Sequence, residues 1–104
     1  MELRHLKYFF AVAGELHFRK AAEKLFIAQP ALSRQIKQLE EELGVTLFKR
    51  TKRAVELTEA GKFFYKEVQD VFIKLERAQS QIRQIETGAI GKIRLGYVPS
   101  TVHN

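Results

Sequence analysis

The sequence predicts a mainly α-helical fold in which short helices and one small β-hairpin precede a long coiled-coil helix. Three observations predict it. Apolar residues recur at helical spacing over residues 2–14 and 29–43. The period is lost between 45 and 58, where β-formers flank "KRTKRA". An apolar heptad then runs unbroken from Phe64 to Ile85.

The first helix spans residues 2–14, with Leu3, Leu6, Phe10 and Ala13 on one stripe, Phe9 beside it, and Gly14 as its stop. Ala21, Ala22 and Leu25, in the stretch that begins at Phe18, predict a second helix of about two turns. "FIA" (26–28) separates it from a third helix starting near Gln29. Pro30 is tolerated there because first-turn amides lack intrahelical partners. Leu32, Ile36, Leu39 and Leu43 form the face this helix buries, and Gly44 ends it. Two helices joined so tightly are a helix-turn-helix candidate, although the turn has no glycine.

Leu47 on one side and Val55 and Leu57 on the other predict two short strands around a basic loop, whose turn type is open for want of glycine. Thr58 is a good N-cap for the last helix, and Glu59 suits its dipole. Along that helix Phe64, Val68, Val71, Leu75, Ala78, Ile82 and Ile85 recur at alternating spacings of four and three for about three heptads. Roughly 43 Å of helix is too long to pack wholly on the small domain before it, so the seam is expected to meet a second copy. Thr87 and Gly88 end it, and "KIRLGYV" then alternates like a strand with no partner strand in the chain. The expected organisation is a small domain over 1–58, a dimerising helix over 59–87, and a hinge with a first strand over 88–104.

The 104 residues, 45% of them hydrophobic, suit one small domain with an extension. The absence of cysteine excludes a disulfide framework, a zinc finger and a thiol nucleophile. "MELRHLKYFF" mixes charges with apolar residues, unlike a signal peptide, and no run of about 18 apolar residues is present to span a membrane. A net charge of +6 favours a polyanionic partner, either nucleic acid or an anionic membrane surface. That charge is uneven. Residues 59–87 are neutral, which marks the long helix as an assembly element, and the positive density peaks at Lys49, Arg50, Lys52 and Arg53.

The third helix carries Arg34 and Lys37 near its front and Glu40, Glu41 and Glu42 at its back, the reverse of what its own dipole prefers. A polyanion at the front end would make that order useful. Opposite Leu32 and Ile36 lie Ser33, Arg34 and Lys37, with Gln29 at the tip. Helix N-terminal amides bind phosphate oxygens, arginine reads guanine edges and glutamine reads adenine. The glutamates, repelled by phosphates, would aim the helix front end first into a major groove. The basic loop would reach neighbouring phosphates or the minor groove. The plainer reading is a solvated mixed-charge face, with Lys37 and Glu41 an ordinary pair worth a few tenths of a kcal/mol.

Ser33 has no base at a recognisable spacing, and nothing resembles a paired acid and base or a phosphate-cradling loop, so no enzyme is expected. His5, His17 and His103 show no ligand spacing and are read as surface or half-buried. Phe63, Phe64, Tyr65 and Phe72, at helical spacing beside the heptad, are read as core rather than as base-stacking groups. Two rival functions remain open, a coiled-coil protein-interaction module and a non-specific nucleoid-type DNA binder. A preference for particular duplexes over random DNA separates both from a specific reader.

These stretches resemble the N-terminal part of LysR-type transcriptional regulators. "LRHLKYFFAVA" is similar to that family's first helix, "FRKAAEKLFIAQPALSRQIKQLEEELGVTLFKR" to its helix-turn-helix and wing entry, and "VELTEAG" to the hairpin exit and the start of its linker helix. The resemblance covers residues 1 to 61, and the heptad fits the family's dimerising helix. It implies a winged helix-turn-helix followed by a long coiled-coil linker helix, in a cytoplasmic regulator that binds interrupted palindromes in double-stranded promoter DNA. By position, Gln29, Pro30, Ser33, Arg34 and Lys37 would lie on the DNA-facing recognition helix, and Arg50, Thr51 and Arg53 at the wing. "GKIRLGYVPS" is similar to the first strand of the family's effector-binding domain. A small-molecule effector, and a tetramer built from dimers, would therefore belong to a longer protein, and this part needs no cofactor. Lys52 and Ala54 stand where glycine is frequent in the wing, which leaves its shape open. Ala28 stands where a serine cap is frequent; losing such a cap costs about 1 kcal/mol, and the amides it leaves free are candidates for phosphate.

Overall fold

The structure, a computed structural model, describes residues 1–88. Its elements are α1 (Leu3–Glu15), α2 (Phe18–Leu25), α3 (Gln29–Leu43), β1 (Phe48–Arg50), β2 (Val55–Leu57) and α4 (Glu59–Glu86). Two compact units are present, residues 1–69 and the stretch from Asp70 onward. The expected hinge and strand at 89–104 lie outside the described residues.

In the first unit α1, α2 and α3 pack on one another around Phe9, Val12, Ala21, Leu32, Ile36 and Leu39. α1 departs from the expected stripe. Its buried residues are His5, Phe9, Val12 and Ala13, while Leu3 is 56% exposed and Leu6 and Phe10 are half-buried. The observed face is turned about a quarter of the way round the helix from the expected one. α1 is apolar over a wide arc, so spacing alone admits both faces, and the partners on α2 and α3 select one. His5 is thus a core residue, not a surface one. Its Nδ1 accepts the Glu2 N–H at 3.1 Å in a capping box at the start of α1. The proton therefore sits on Nε2, which is buried with no partner among the described residues.

Gly14 does not stop α1. The helix runs on to Glu15, and Leu16 caps it with φ 51°, its N–H donating to the Val12 carbonyl at 2.7 Å. An interior glycine costs a helix only about 1 kcal/mol, which the burial of Val12 and Ala13 offsets. The glycine-free corner between α2 and α3 is made the same way. Phe26 takes φ 58°, and the Ile27 N–H closes back on the Ala22 carbonyl at 3.1 Å. Phe26 is 94% exposed, so its side chain contributes nothing to the core. α3 ends as expected at Gly44, with φ 74°, but Leu43 is 38% exposed and outside the buried face.

β1 and β2 pair antiparallel, with Phe48 opposite Leu57 and Arg50 opposite Val55. The hairpin is tied down at its base. Leu47 and Phe48 are buried, and their backbone N–H groups both donate to Glu40 Oε2, at 2.7 and 3.2 Å. Thr58 donates its N–H to the Leu47 carbonyl at 3.0 Å and its hydroxyl to the Thr46 carbonyl at 2.8 Å. The same hydroxyl oxygen accepts the Gly61 N–H at 3.0 Å, the N-cap that the sequence predicts for α4. Glu40 is therefore a clamp on the hairpin, not a free carboxylate. Glu40→Gln keeps the shape but weakens two charge-assisted bonds. It is expected to cost about 1–2 kcal/mol in urea denaturation and to speed hydrogen exchange at Leu47 and Phe48.

An aromatic cluster binds the hairpin to the helices. Phe9 lies 5.5 Å from Phe48 and 5.1 Å from Phe64, Phe18 meets Phe48 edge-on at 5.7 Å, and Phe10 stacks on Tyr65 at 4.9 Å. Phe63, read from the sequence as core, is 68% exposed. Val68 is buried within the chain, and Phe64, half-buried, meets Phe9, so the start of the expected seam also packs on the small domain. In the second unit Val71, Leu75, Ala78, Ile82 and Ile85 are exposed along one helix.

Candidate nucleic-acid interface

α3 is anchored by Leu32, Ile36 and Leu39, each no more than 1% exposed. This leaves Gln29, Pro30, Arg34 and Lys37 exposed and Ser33 half-buried on its free side. The uncapped start of α3 is tighter than the sequence suggests. Pro30 has no N–H, and the N–H groups of Ala31 and Leu32 both donate to the Ala28 carbonyl at 3.1 Å. Of the four amide positions from Ala28 to Ala31 that an ideal helix start leaves open, Pro30 thus has no N–H to offer and that of Ala31 is taken.

The wing closes without glycine because Thr51 supplies the turn. Its N–H donates to the Ala54 carbonyl at 2.9 Å, and its hydroxyl oxygen accepts the N–H groups of Arg53 and Ala54 at 3.2 and 3.1 Å. No residue of the loop has a positive φ. Thr51, placed among the DNA-contacting residues by resemblance, therefore has its hydroxyl engaged in holding the loop's shape.

A cleft of about 290 Å³ brings Gln29 of α3 together with Arg50, Thr51 and Arg53 of the wing. Ser33, Arg34 and Lys37 lie along α3 outside it. Lys52, which the sequence places in the basic loop, also lines the cleft, as do Arg19 and His17, which were missed from the sequence although the basic "FRK" at the start of α2 was a usable signal. The lining includes four Lys and Arg side chains and no carboxylate. His17 caps α2, with its Nδ1 accepting the Lys20 N–H at 3.1 Å.

The glutamates at the back of α3 have internal work. Glu40 clamps the hairpin, and Glu42 pairs with the N-terminal ammonium of Met1, whose hydrogen bond holds the Glu42 carboxyl below its ordinary value. The charge order along α3 thus has a structural cause in two of its three acids, which the sequence reading assigned to repulsion from phosphate. Among the described residues no helix is long and apolar enough to cross a membrane.

Residues 3–62 match the profile described as bacterial regulatory helix-turn-helix protein, lysR family. The chain belongs to the lysR family. This LysR-type chain is 50% identical over 103 residues to the HTH-type transcriptional regulator AlsR of Bacillus subtilis, an alignment covering 99% of the chain and 34% of AlsR. It is 46% identical over 110 residues to BenM of Acinetobacter baylyi, covering 99% of the chain and 36% of that regulator. The chain therefore spans about a third of the length of these two relatives. Among solved structures it is similar to the BenM DBD in complex with catB site 1 DNA, with a TM-score of 0.81 and 50% identity over 85% of the chain and 98% of that one. It is also similar to full-length CbnR complexed with its target DNA, with a TM-score of 0.76 and 39% identity over 85% of the chain and 31% of that one. The fold is thus the winged helix-turn-helix of LysR-type regulators.

Proposed function

We propose that this chain is the DNA-binding part of a LysR-type transcriptional regulator that reads double-stranded promoter DNA as a dimer. The front of α3 enters the major groove, where Arg34 meets a guanine edge bidentately and Gln29 an adenine. Ser33 and Lys37 flank them along the groove. Arg50 and Arg53 hold the flanking backbone or minor groove, and Thr51 keeps the wing in shape. Val71, Leu75, Ala78, Ile82 and Ile85 bring two such units onto one interrupted palindrome. This part performs no catalysis and holds no cofactor. A small-molecule effector and a tetramer belong to the whole protein, in the cytoplasm where its promoters are.

The observation that supports this best is the acid-free cationic cleft that joins Gln29 at the tip of α3 to the wing. The relatives described as transcriptional regulators, and the similar chains solved on DNA, point the same way. Selection of bound duplexes from a random pool tests it, and recovery without sequence preference would favour a non-specific nucleoid-type binder. On the selected duplex, Arg34→Ala is expected to cost about 1–3 kcal/mol and to relax preference at one base pair. Arg53→Ala should weaken all sequences alike and lower the salt slope by about one. The same loss of specificity at both sites would contradict this division of roles.

A further inference from the structure

Arg50, at the end of β1, places its guanidinium carbon 3.7 Å from the centre of the Phe18 ring. The sequence and the fold explain why they meet. Phe48 and Arg50 are two residues apart on a strand and so share one face. Phe48 fills the core and meets the Phe18 ring edge-on at 69°. Arg50, one step further out, comes to lie over that ring's face. The Phe18 ring is itself only 5% exposed and cannot turn away.

We propose that Phe18 is a positioning residue for DNA binding, which holds the Arg50 guanidinium on its face so that the cation meets a backbone phosphate already oriented. This rests on the reading given under Proposed function. A cation over a ring face is attracted by the ring's quadrupole, and the contact uses the guanidinium plane rather than its N–H donors. Those donors remain available around the rim for bidentate hydrogen bonds to phosphate. The usual way to immobilise an arginine, a carboxylate partner, would use the same donors and cancel the charge. Arg50 has no such partner among the described residues, whereas Arg4, Lys24 and Lys62 each pair with a glutamate. The cleft around it contains no acid. Arg50 is thus ordered and uncompensated at once, so less side-chain freedom remains to be lost on binding.

The test measures affinity for the selected duplex after Phe18 is replaced by 3,4,5-trifluorophenylalanine, which keeps the ring's shape and withdraws its electron density. Arg50→Ala and the combination of the two changes are measured beside it. Fluorination is expected to weaken binding about 2- to 5-fold with the fold retained, and Arg50→Ala about 10-fold with a shallower salt slope. In the Arg50→Ala background fluorination should then have no effect. Phe18→Leu gives the same pattern if it folds, but the fluorinated protein decides. Unchanged affinity on fluorination, an equal loss with and without Arg50, or a neutral Arg50→Ala overturns the positioning role while leaving specific DNA binding intact. Absence of duplex preference in the unsubstituted protein would instead overturn the underlying reading together with this one.

Discussion

Gly61→Ala is expected to destabilise the first unit by about 3 kcal/mol or more, the largest effect of any single methyl group here. A Cβ at Gly61 would stand 2.2 Å from the Leu47 carbonyl oxygen, 3.1 Å from its carbonyl carbon and 3.0 Å from Leu57 Cδ2. Backbone atoms at such distances must move, and Leu47 is held from three sides. Its side chain is 1% exposed, its N–H is bonded to Glu40, and its carbonyl accepts the Thr58 N–H. Relief would require breaking the junction between hairpin and α4. Gly14 is the natural comparison, since a Cβ there meets nothing within 4 Å. It sits inside α1, so Gly14→Ala should stabilise by about 0.5–1 kcal/mol. Urea denaturation of both variants reads the difference directly. Equal and small effects would show that the close approach of α4 to Leu47 is not as tight as these distances require.

The second large effect is on assembly. Leu75→Asp is expected to convert a dimer to monomers in sedimentation and to weaken binding to a two-half-site operator by about 10²-fold or more, because two linked half-site contacts become independent. Leu75 is 41% exposed, Val71 43%, Ile82 63% and Ile85 42%, an apolar row at heptad spacing along the second unit. Phe64 and Val68, earlier in the same heptad, are packed within the chain, so a charge at either would damage folding and assembly together. Leu75 separates the two: circular dichroism should show the helix retained while the dimer is lost. Binding to an isolated half-site should be unaffected. A persistent dimer after Leu75→Asp would move the interface elsewhere.

Much of this was legible in the residues. The order of elements, the start of α4 at Thr58, the end of α3 at Gly44 and the free side of α3 follow from caps and periodicity, which act over a few residues. Arg34 and Lys37 are exposed because Leu32, Ile36 and Leu39 take the opposite side, and that follows from spacing alone. Other features were not legible, for particular reasons. α1 offered more apolar residues than one face needs, so the choice of Phe9 and Val12 waited on its neighbours. Phe26 takes a left-handed conformation that its residue type gives no reason to expect, and the wing's turn, left open for want of glycine, is made by Thr51.

By itself the sequence determined a set of helices, a basic hairpin and a heptad, because hydrogen bonding within an element and its apolar period are local properties. The tertiary structure alone decided that Glu40 clamps Leu47 and Phe48, that Gly61 admits no side chain, that Arg50 rests on Phe18, and that Gln29 shares a cleft with the wing. Each of these joins groups on different elements, and their meeting depends on how the helices and the hairpin pack, a quantity that no local pattern encodes.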